Sequence, residues 1–363
     1  MKIQNYTIDK ESPCLIIAEL SANHNGSLDV AIETIKAAKR AGADAIKLQT
    51  YTPDTMTIDH DNSHFQINEG TLWDGKTLFE LYGEAYTPWE WHETLFRVAE
   101  EEGLIYFSSP FDLTAVDFLE KFDVPAYKIA SFEIQDIPLI EYAASKMKPI
   151  IMSTGIANKD DIQLAVDTCR KVGNNEIILL KCTSSYPAPL KLANLNTIKD
   201  LKKYFDVEVG FSDHTYGVLA PVVATTLGAK LIEKHFILDK SIGGPDADFS
   251  LDENEFTKMV NAVRDTEKLV GIVSYEVTEK VKKNRKFARS LFVVEDVKKG
   301  DELTKNNVRS IRPGNGLHPK HYKKIMGKTF NKDVLRGEPL SHKMINYNYG
   351  SKRKKNISSS CTS

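Results

Sequence analysis

Gly210-Phe211-Ser212-Asp213-His214-Thr215 and, roughly twenty residues further on, Glu233-Lys234-His235-Phe236 carry the residues that decide how this chain is read. Each follows an apolar, β-branched run (205–209 and 229–232), and an apolar helical stretch, 218–227, lies between them. Two strands joined by a helix predict a parallel pair, because parallel neighbours need a crossover connection. His214 and His235 would then arrive side by side at the carboxyl end of the sheet, close to an Asp and a Glu. Two imidazoles so placed are a reasonable pair of metal ligands. Core histidines are the plainer alternative, and the rest of the chain has to decide.

Working outward, the same unit repeats. An apolar run over 14–20 contains Glu19 near its end, and a helical stretch at 28–41 stops at Gly42, as a C-terminal glycine should make it. Strand 45–48 precedes a long polar segment, 51–78. Helix 88–102 has proline in its first turn and Gly103 just past its end. Strands at 104–107, 126–130, 149–152 and 176–182 then alternate with helices at 113–122, 138–147, 160–172 and 196–204. Eight strand candidates over about 225 residues predict an α/β fold of the (β/α)₈ barrel type. An open doubly wound sheet would want a glycine-rich phosphate turn after its first strand, and Glu19-Leu20-Ser21-Ala22-Asn23-His24 is not one.

After Phe236 the pattern changes. A polar loop, 239–251, leads to an amphipathic helix, 253–270, which would close the barrel. The expected division is a barrel domain over 1–272, a charged linker over 273–287, a small turn-rich β domain over 288–347 and a disordered tail over 348–363.

Lysine and arginine number 48 against 50 acids among 363 residues. That balance argues against a broad surface for nucleic acid or for an acidic membrane. No apolar run approaches transmembrane length, and the first residues lack the apolar core of a signal peptide. Cys14, Cys169, Cys182 and Cys361 show no metal or redox spacing. Reduced thiols in a cytoplasmic protein are the expectation.

In such a barrel the chemistry lies at the carboxyl ends of the strands. Glu19 ends the first. Lys47 and Gln49 share a face of the second, Ser109 follows the third, and Lys128 with Ser131 belongs to the fourth. Ser153 ends the fifth, Thr183 and Ser184 the sixth, and Ser212 with His214 the seventh. On the eighth, Glu233 and His235 share a face while Lys234 points away. Taken singly, a lysine here snorkels and a serine caps a helix. Two lysines with hydroxyls from five successive strands instead form a ring suited to phosphate. Two histidines alone make an open site, suited to an exchangeable divalent ion acting as a Lewis acid.

At this point the residues carry a resemblance. Ile17-Ala18-Glu19-Leu20-Ser21-Ala22-Asn23-His24-Asn25-Gly26, Lys47-Leu48-Gln49-Thr50, Lys128-Ile129-Ala130-Ser131, Ser153-Thr154-Gly155, Cys182-Thr183-Ser184-Ser185-Tyr186-Pro187, the two histidine stretches and Gly244-Pro245-Asp246 resemble the sialic acid synthase family. Arg312-Pro313-Gly314-Asn315-Gly316 resembles that family's C-terminal antifreeze-protein-like module. Within the family, the loops 21–26 and 244–251 look most like those of members that make pseudaminic acid.

The resemblance implies a transferase that condenses phosphoenolpyruvate with an N-acylated amino sugar, giving a nine-carbon 2-keto acid and phosphate. It implies that Lys47, Ser109, Lys128, Ser131, Ser153, Ser184 and Ser212 hold phosphoenolpyruvate. Ser184 departs from the family pattern, which in N-acetylneuraminate synthases has Asn there. His214 and His235 would hold Mn²⁺, with Co²⁺ or Mg²⁺ as alternatives. Glu19 and Glu233 are the catalytic candidates, Glu19 for proton transfer. Gln49, Tyr186, Asp246 and Arg312 would contact the sugar, Arg312 from the partner subunit of a domain-swapped homodimer. The segment 51–78, with Phe65 and Trp73, is a candidate lid.

Three rival readings stay open: an N-acetylneuraminate or legionaminic acid synthase, a Schiff-base pyruvate lyase using Lys47 or Lys128, and a non-catalytic sugar-binding protein.

Overall fold

The structure is a computed structural model that describes residues 1–68, 70 and 73–347. The tail expected over 348–363, with Cys361, lies outside the described residues. Backbone contacts divide the chain into two units, Met1–Gly271 and Ile272–Ser363.

The first unit is a closed barrel of parallel strands: β1 (Leu15–Glu19), β2 (Ala45–Thr50), β3 (Ile105–Pro110), β4 (Tyr127–Ile129), β5 (Ile150–Ser153), β6 (Ile177–Cys182), β7 (Glu208–Asp213) and β8 (Leu231–His235). Each strand pairs with the next in sequence, and β8 closes on β1 with His235 opposite Glu19. The strands are buried along nearly their whole length, as expected where helices cover the outside. Helices begin where the sequence supplies a cap. Ser27, Asp112 and Asp136 each accept a backbone N–H of the first turn. Asn158 and Asp252 complete capping boxes, the second at the start of helix Glu253–Val270. That last helix is tied back to the barrel's first strands: Arg264 Nη2 donates to Asp44 Oδ2 at 2.6 Å, and the same carboxylate oxygen accepts Ile16 N–H at 2.8 Å.

One local expectation needs correction. Residues 205–209 and 229–232 are not the seventh and eighth strands, which run three to four residues further, to Asp213 and His235. Phe205 ends a helix, and Asp206 turns the chain in the left-handed region. The slip has a cause in the interior. The apolar pattern stops at Gly210 because a Cβ there would stand 2.6 Å from Leu180 Cδ2 and from Leu231 O. Helices Pro53–Met56 and Leu78–Ala85 frame the polar segment after Tyr51. The expected linker carries helix Glu279–Asn284 and a 3₁₀ turn at Arg285–Phe287.

The second unit contains β9 (Ser290–Val293) paired antiparallel with β10 (Val308–Ile311), and β11 (Thr329–Phe330) with β12 (Ile345–Asn346). Its own core gathers Leu291, Val293, Leu303, Val308, Phe330 and Leu340. Among the described residues no helix is long and apolar enough to cross a membrane.

Candidate active site

The period-two alternation of a strand turns Lys47 and Gln49 of β2, and Glu233 and His235 of β8, into the barrel. Their side chains meet there. Lys47 Nζ lies 2.5 Å from Glu19 Oε2 and 3.7 Å from Glu233 Oε2, and donates to Ser109 Oγ at 3.2 Å. Lys128 Nζ donates to Ser153 Oγ at 2.7 Å and lies 3.6 Å from Glu233 Oε1. Ser212 donates to the same oxygen at 3.0 Å. All of these residues are buried.

Burial acts on the two carboxylates with different outcomes. It pushes Glu19 up to about 7 against the pull of Lys47, with Glu233 adding to the rise. On Glu233 it is outweighed by Lys128 and Lys47, which hold the acid below its usual range. Lys47 stays above its usual value, because Glu19 and Glu233 overcome the cost of burying it. For Lys128 burial wins, and its ammonium is easier to deprotonate than usual.

Beside this cluster the chain forms a cradle of hydroxyls. Ser131 Oγ accepts Gly155 N–H at 3.2 Å, and Ser184 Oγ is buried with no partner. A Cβ on residue 155 would fall 2.1 Å from Ser184 Oγ, 2.7 Å from Ser131 Oγ and 3.1 Å from Cys182 Sγ. Any larger residue would push these side chains from where they stand. An unsatisfied hydroxyl in such a cradle is a place for an anionic oxygen.

His214 and His235 stand with ring centroids 5.4 Å apart. The carbonyl of Thr183 lies 3.1 Å from His214 Nδ1, which orients the ring and leaves Nε2 free to ligate. Nδ1 of His235 is buried without a hydrogen-bond partner, 3.6 Å from Asp246 Oδ2. Burial, reinforced by His214, keeps the His235 imidazole neutral, the form that binds metal. The donor set fits a divalent cation. Among the described residues no group of three or more His, Cys, Asp or Glu is arranged around a common point. Two imidazoles leave open positions for water and substrate.

A cavity of about 220 Å³ opens next to His235. Tyr186, Gln49 and Asp246 line it, and Tyr186 packs its ring 4.3 Å from His214. Gln49 Nε2 donates to Glu19 Oε1 and to Ser21 Oγ, both at 3.0 Å, and Ser21 Oγ donates to Asp246 Oδ2 at 2.5 Å. Trp73 reaches this cavity and donates its indole N–H to Pro245 O at 3.3 Å. Phe65 instead stacks on His60 and does not line it. Arg312 directly follows β10 in the second unit.

Sequence reasoning missed two members of this neighbourhood. Glu133 lines the cavity, its Oε2 is buried without a partner, and burial pushes its carboxyl up to about 7. It lies two residues after Ser131, a spacing that could have flagged it. The other is the pair Lys234 and Asp213. Lys234 Nζ lies 2.5 Å from Asp213 Oδ2 and donates to Thr215 O at 2.5 Å, with both side chains fully buried. Lys234 does point away from the barrel's interior, as expected, but into a partner rather than into solvent.

The NeuB family matches residues 34–275, and a SAF domain matches residues 288–346. The chain belongs to the NeuB family. Its relatives within and around that family include a pseudaminic acid synthase of Campylobacter jejuni, 51% identical over 340 residues, which are 94% of this chain and 98% of the relative. A pseudaminic acid synthase of Helicobacter pylori is 50% identical over 330 residues, 91% of this chain and 97% of its own length. Among solved structures, N-acetylneuraminic acid synthetase of Leptospira borgpetersenii superposes with a TM-score of 0.70 at 30% identity, over 78% of this chain and 94% of that one. In this NeuB family member, the barrel and the small β unit are thus the two matched regions.

Proposed function

We propose that the chain is a pseudaminic acid synthase, which condenses phosphoenolpyruvate with 2,4-diacetamido-2,4,6-trideoxy-β-L-altropyranose and water to give pseudaminic acid and phosphate. The observation that carries this reading is the 51% identity with a pseudaminic acid synthase along almost the whole of both chains. The site's chemistry supports it.

Phosphoenolpyruvate brings a carboxylate and a phosphate into a space that holds two ammonium groups and several hydroxyls. Lys47 with Ser109, and Lys128 with Ser153, supply charge and donors on one side. Ser131, Ser184 and Gly155 N–H supply the cradle on the other, and Ser212 completes the ring. His214 and His235 would hold the cation, with Mn²⁺ the first choice and Co²⁺ or Mg²⁺ alternatives. When bound, such an ion supplies Lewis acidity at the aldehyde oxygen of the open-chain sugar.

C3 of phosphoenolpyruvate forms the new bond to the aldehyde carbon, and the aldehyde oxygen takes a proton. Water adds at C2, and the tetrahedral adduct breaks its C–O bond to phosphate, leaving the 2-keto acid. Glu19, at about 7, can both give and take a proton at neutral pH, which suits it to these transfers. Glu233 stays ionised and steadies the two lysines. Gln49, Tyr186, Asp246 and Glu133 face the sugar. Arg312 would reach the partner subunit's site in a domain-swapped dimer, and the cytoplasm, where phosphoenolpyruvate is made, is the compartment.

Phosphoenolpyruvate labelled with ¹⁸O at its bridging oxygen tests the bond cleavage. The label should leave in phosphate. Retention in the keto acid, or trapping of the enzyme by borohydride with pyruvate, would contradict the mechanism and favour a lyase.

A further inference from the structure

The cavity beside His235 has a second wall that the proposed chemistry does not use. Phe111 follows β3, and β3 stands four strands from β7 in either direction around the closed barrel. Phe111 therefore lies across the mouth from His214. Tyr51 packs against it, ring centroids 5.1 Å apart, and against Tyr82 at 5.8 Å. Helix Leu78–Ala85 adds Leu81 and Ala85, and helix Pro53–Met56 ends with Met56 on the same cavity. Burial keeps the phenol of Tyr51 protonated. Met56, Leu81, Ala85 and Phe111 give this wall a hydrocarbon face, edged by the phenols of Tyr51 and Tyr82, whereas Gln49, Glu133, Asp246 and His235 bring polar atoms to the rest of the cavity.

The sugar must enter this space with a fixed polarity. Its aldehyde carbon belongs at the histidines, within reach of phosphoenolpyruvate among the lysines. The sixth carbon is the atom farthest along the chain from that reacting carbon, so it runs toward the opposite side of the mouth. Resting on the function proposed above, we infer that Met56, Leu81, Ala85 and Phe111 receive the C6 methyl group and select 6-deoxy amino sugars over their 6-hydroxyl counterparts. A hydroxyl at C6 packed against these four side chains would lose its water and find no partner among them. A hydrophobic pocket discriminates against an added hydroxyl by on the order of 10²-fold.

The test compares kcat/KM for the trideoxy sugar and for the same sugar with its C6 hydroxyl restored, in the wild type, in Met56→Gln and in Ala85→Ser. Both variants place a hydrogen-bonding group on the wall at little change in volume. The wild type should prefer the trideoxy sugar by roughly 10²-fold. Either variant should shrink that preference by about tenfold while leaving the KM for phosphoenolpyruvate unchanged. If both variants fold, as their circular dichroism and turnover of the trideoxy sugar would show, and keep the wild-type ratio, the wall does not read C6 and the inference is overturned. A wild type inactive with both sugars would instead overturn the proposed function itself.

Discussion

Glu19 and Glu233 share one ammonium group, that of Lys47, which lies 2.5 Å from the first carboxylate and 3.7 Å from the second. Both acids are buried, yet burial prevails on Glu19 while Lys128 and Lys47 prevail on Glu233. A site with one acid near neutrality and one held ionised separates proton transfer from charge balance.

Removing the shared cation should expose this arrangement. Lys47→Met leaves two buried carboxylates facing each other, and breaking a buried pair costs roughly 3–5 kcal/mol. Thermal unfolding should therefore fall clearly, and phosphoenolpyruvate should bind at least about tenfold more weakly, which is 1.4 kcal/mol or more. Unchanged binding by calorimetry would remove Lys47 from the substrate site.

Gly155→Ala tests the cradle without touching a charge. The new Cβ must displace Ser184 and Ser131 from where they stand. The KM for phosphoenolpyruvate should rise by about tenfold or more, at an overpacking cost of roughly 1–3 kcal/mol in stability. An unaltered KM would mean that the hydroxyls do not hold the substrate.

Glu133 gives a pH-dependent prediction. Its folded-state value, about 7, stands above the ordinary 4.5. Its contribution to stability is therefore fully present below about pH 4.5 and is lost as pH rises through 7, by about 3 kcal/mol. Glu133→Gln resembles the protonated form at every pH. The variant should match the wild type in melting temperature near pH 4.5 and exceed it at pH 8, while turning over the sugar about 10- to 100-fold more slowly for want of the carboxylate's charge and second acceptor oxygen. Equal melting curves at pH 8 would show that the buried carboxylate is not strained.

Lys234 and Asp213 pin the turn that carries His214. Lys234 bonds both the Asp213 side chain and the Thr215 carbonyl, and Thr215 N–H donates to Asp213 Oδ1 at 2.8 Å. Lys234→Met alone should destabilise by roughly 3–5 kcal/mol, because it strands a buried carboxylate. Adding Asp213→Leu should recover much of that loss without recovering metal affinity, measured by titration of Mn²⁺ into the metal-free protein. Full recovery of affinity in the double variant would make the pair a matter of stability alone.

Much of this fold was legible because each strand ended in a polar residue that a buried parallel strand cannot otherwise explain. Lys47, Lys128, His214 and His235 stood out on that ground. The strands carrying the histidines were placed early because Gly210 and Ser212 in β7, and Glu233 and Lys234 in β8, broke the apolar runs. Helix Leu78–Ala85 was passed over in the short stretch between the polar segment and helix 88–102, and with it the wall that carries Leu81 and Ala85. Gly155 has no pattern of its own, and Glu133 only its place two residues after Ser131. Their meaning lies in what the barrel sets beside them, an empty hydrogen-bond position in one case and two serines in the other.

The central claim is the identity of the sugar, and phosphate release from phosphoenolpyruvate measures it most directly. The enzyme, supplied with Mn²⁺, would be offered 2,4-diacetamido-2,4,6-trideoxy-L-altrose, its manno counterpart and N-acetylmannosamine in parallel. The altro sugar should release phosphate fastest, and chelation should abolish the release until Mn²⁺ is restored. Turnover of N-acetylmannosamine alone would contradict the assignment while leaving the chain in its family.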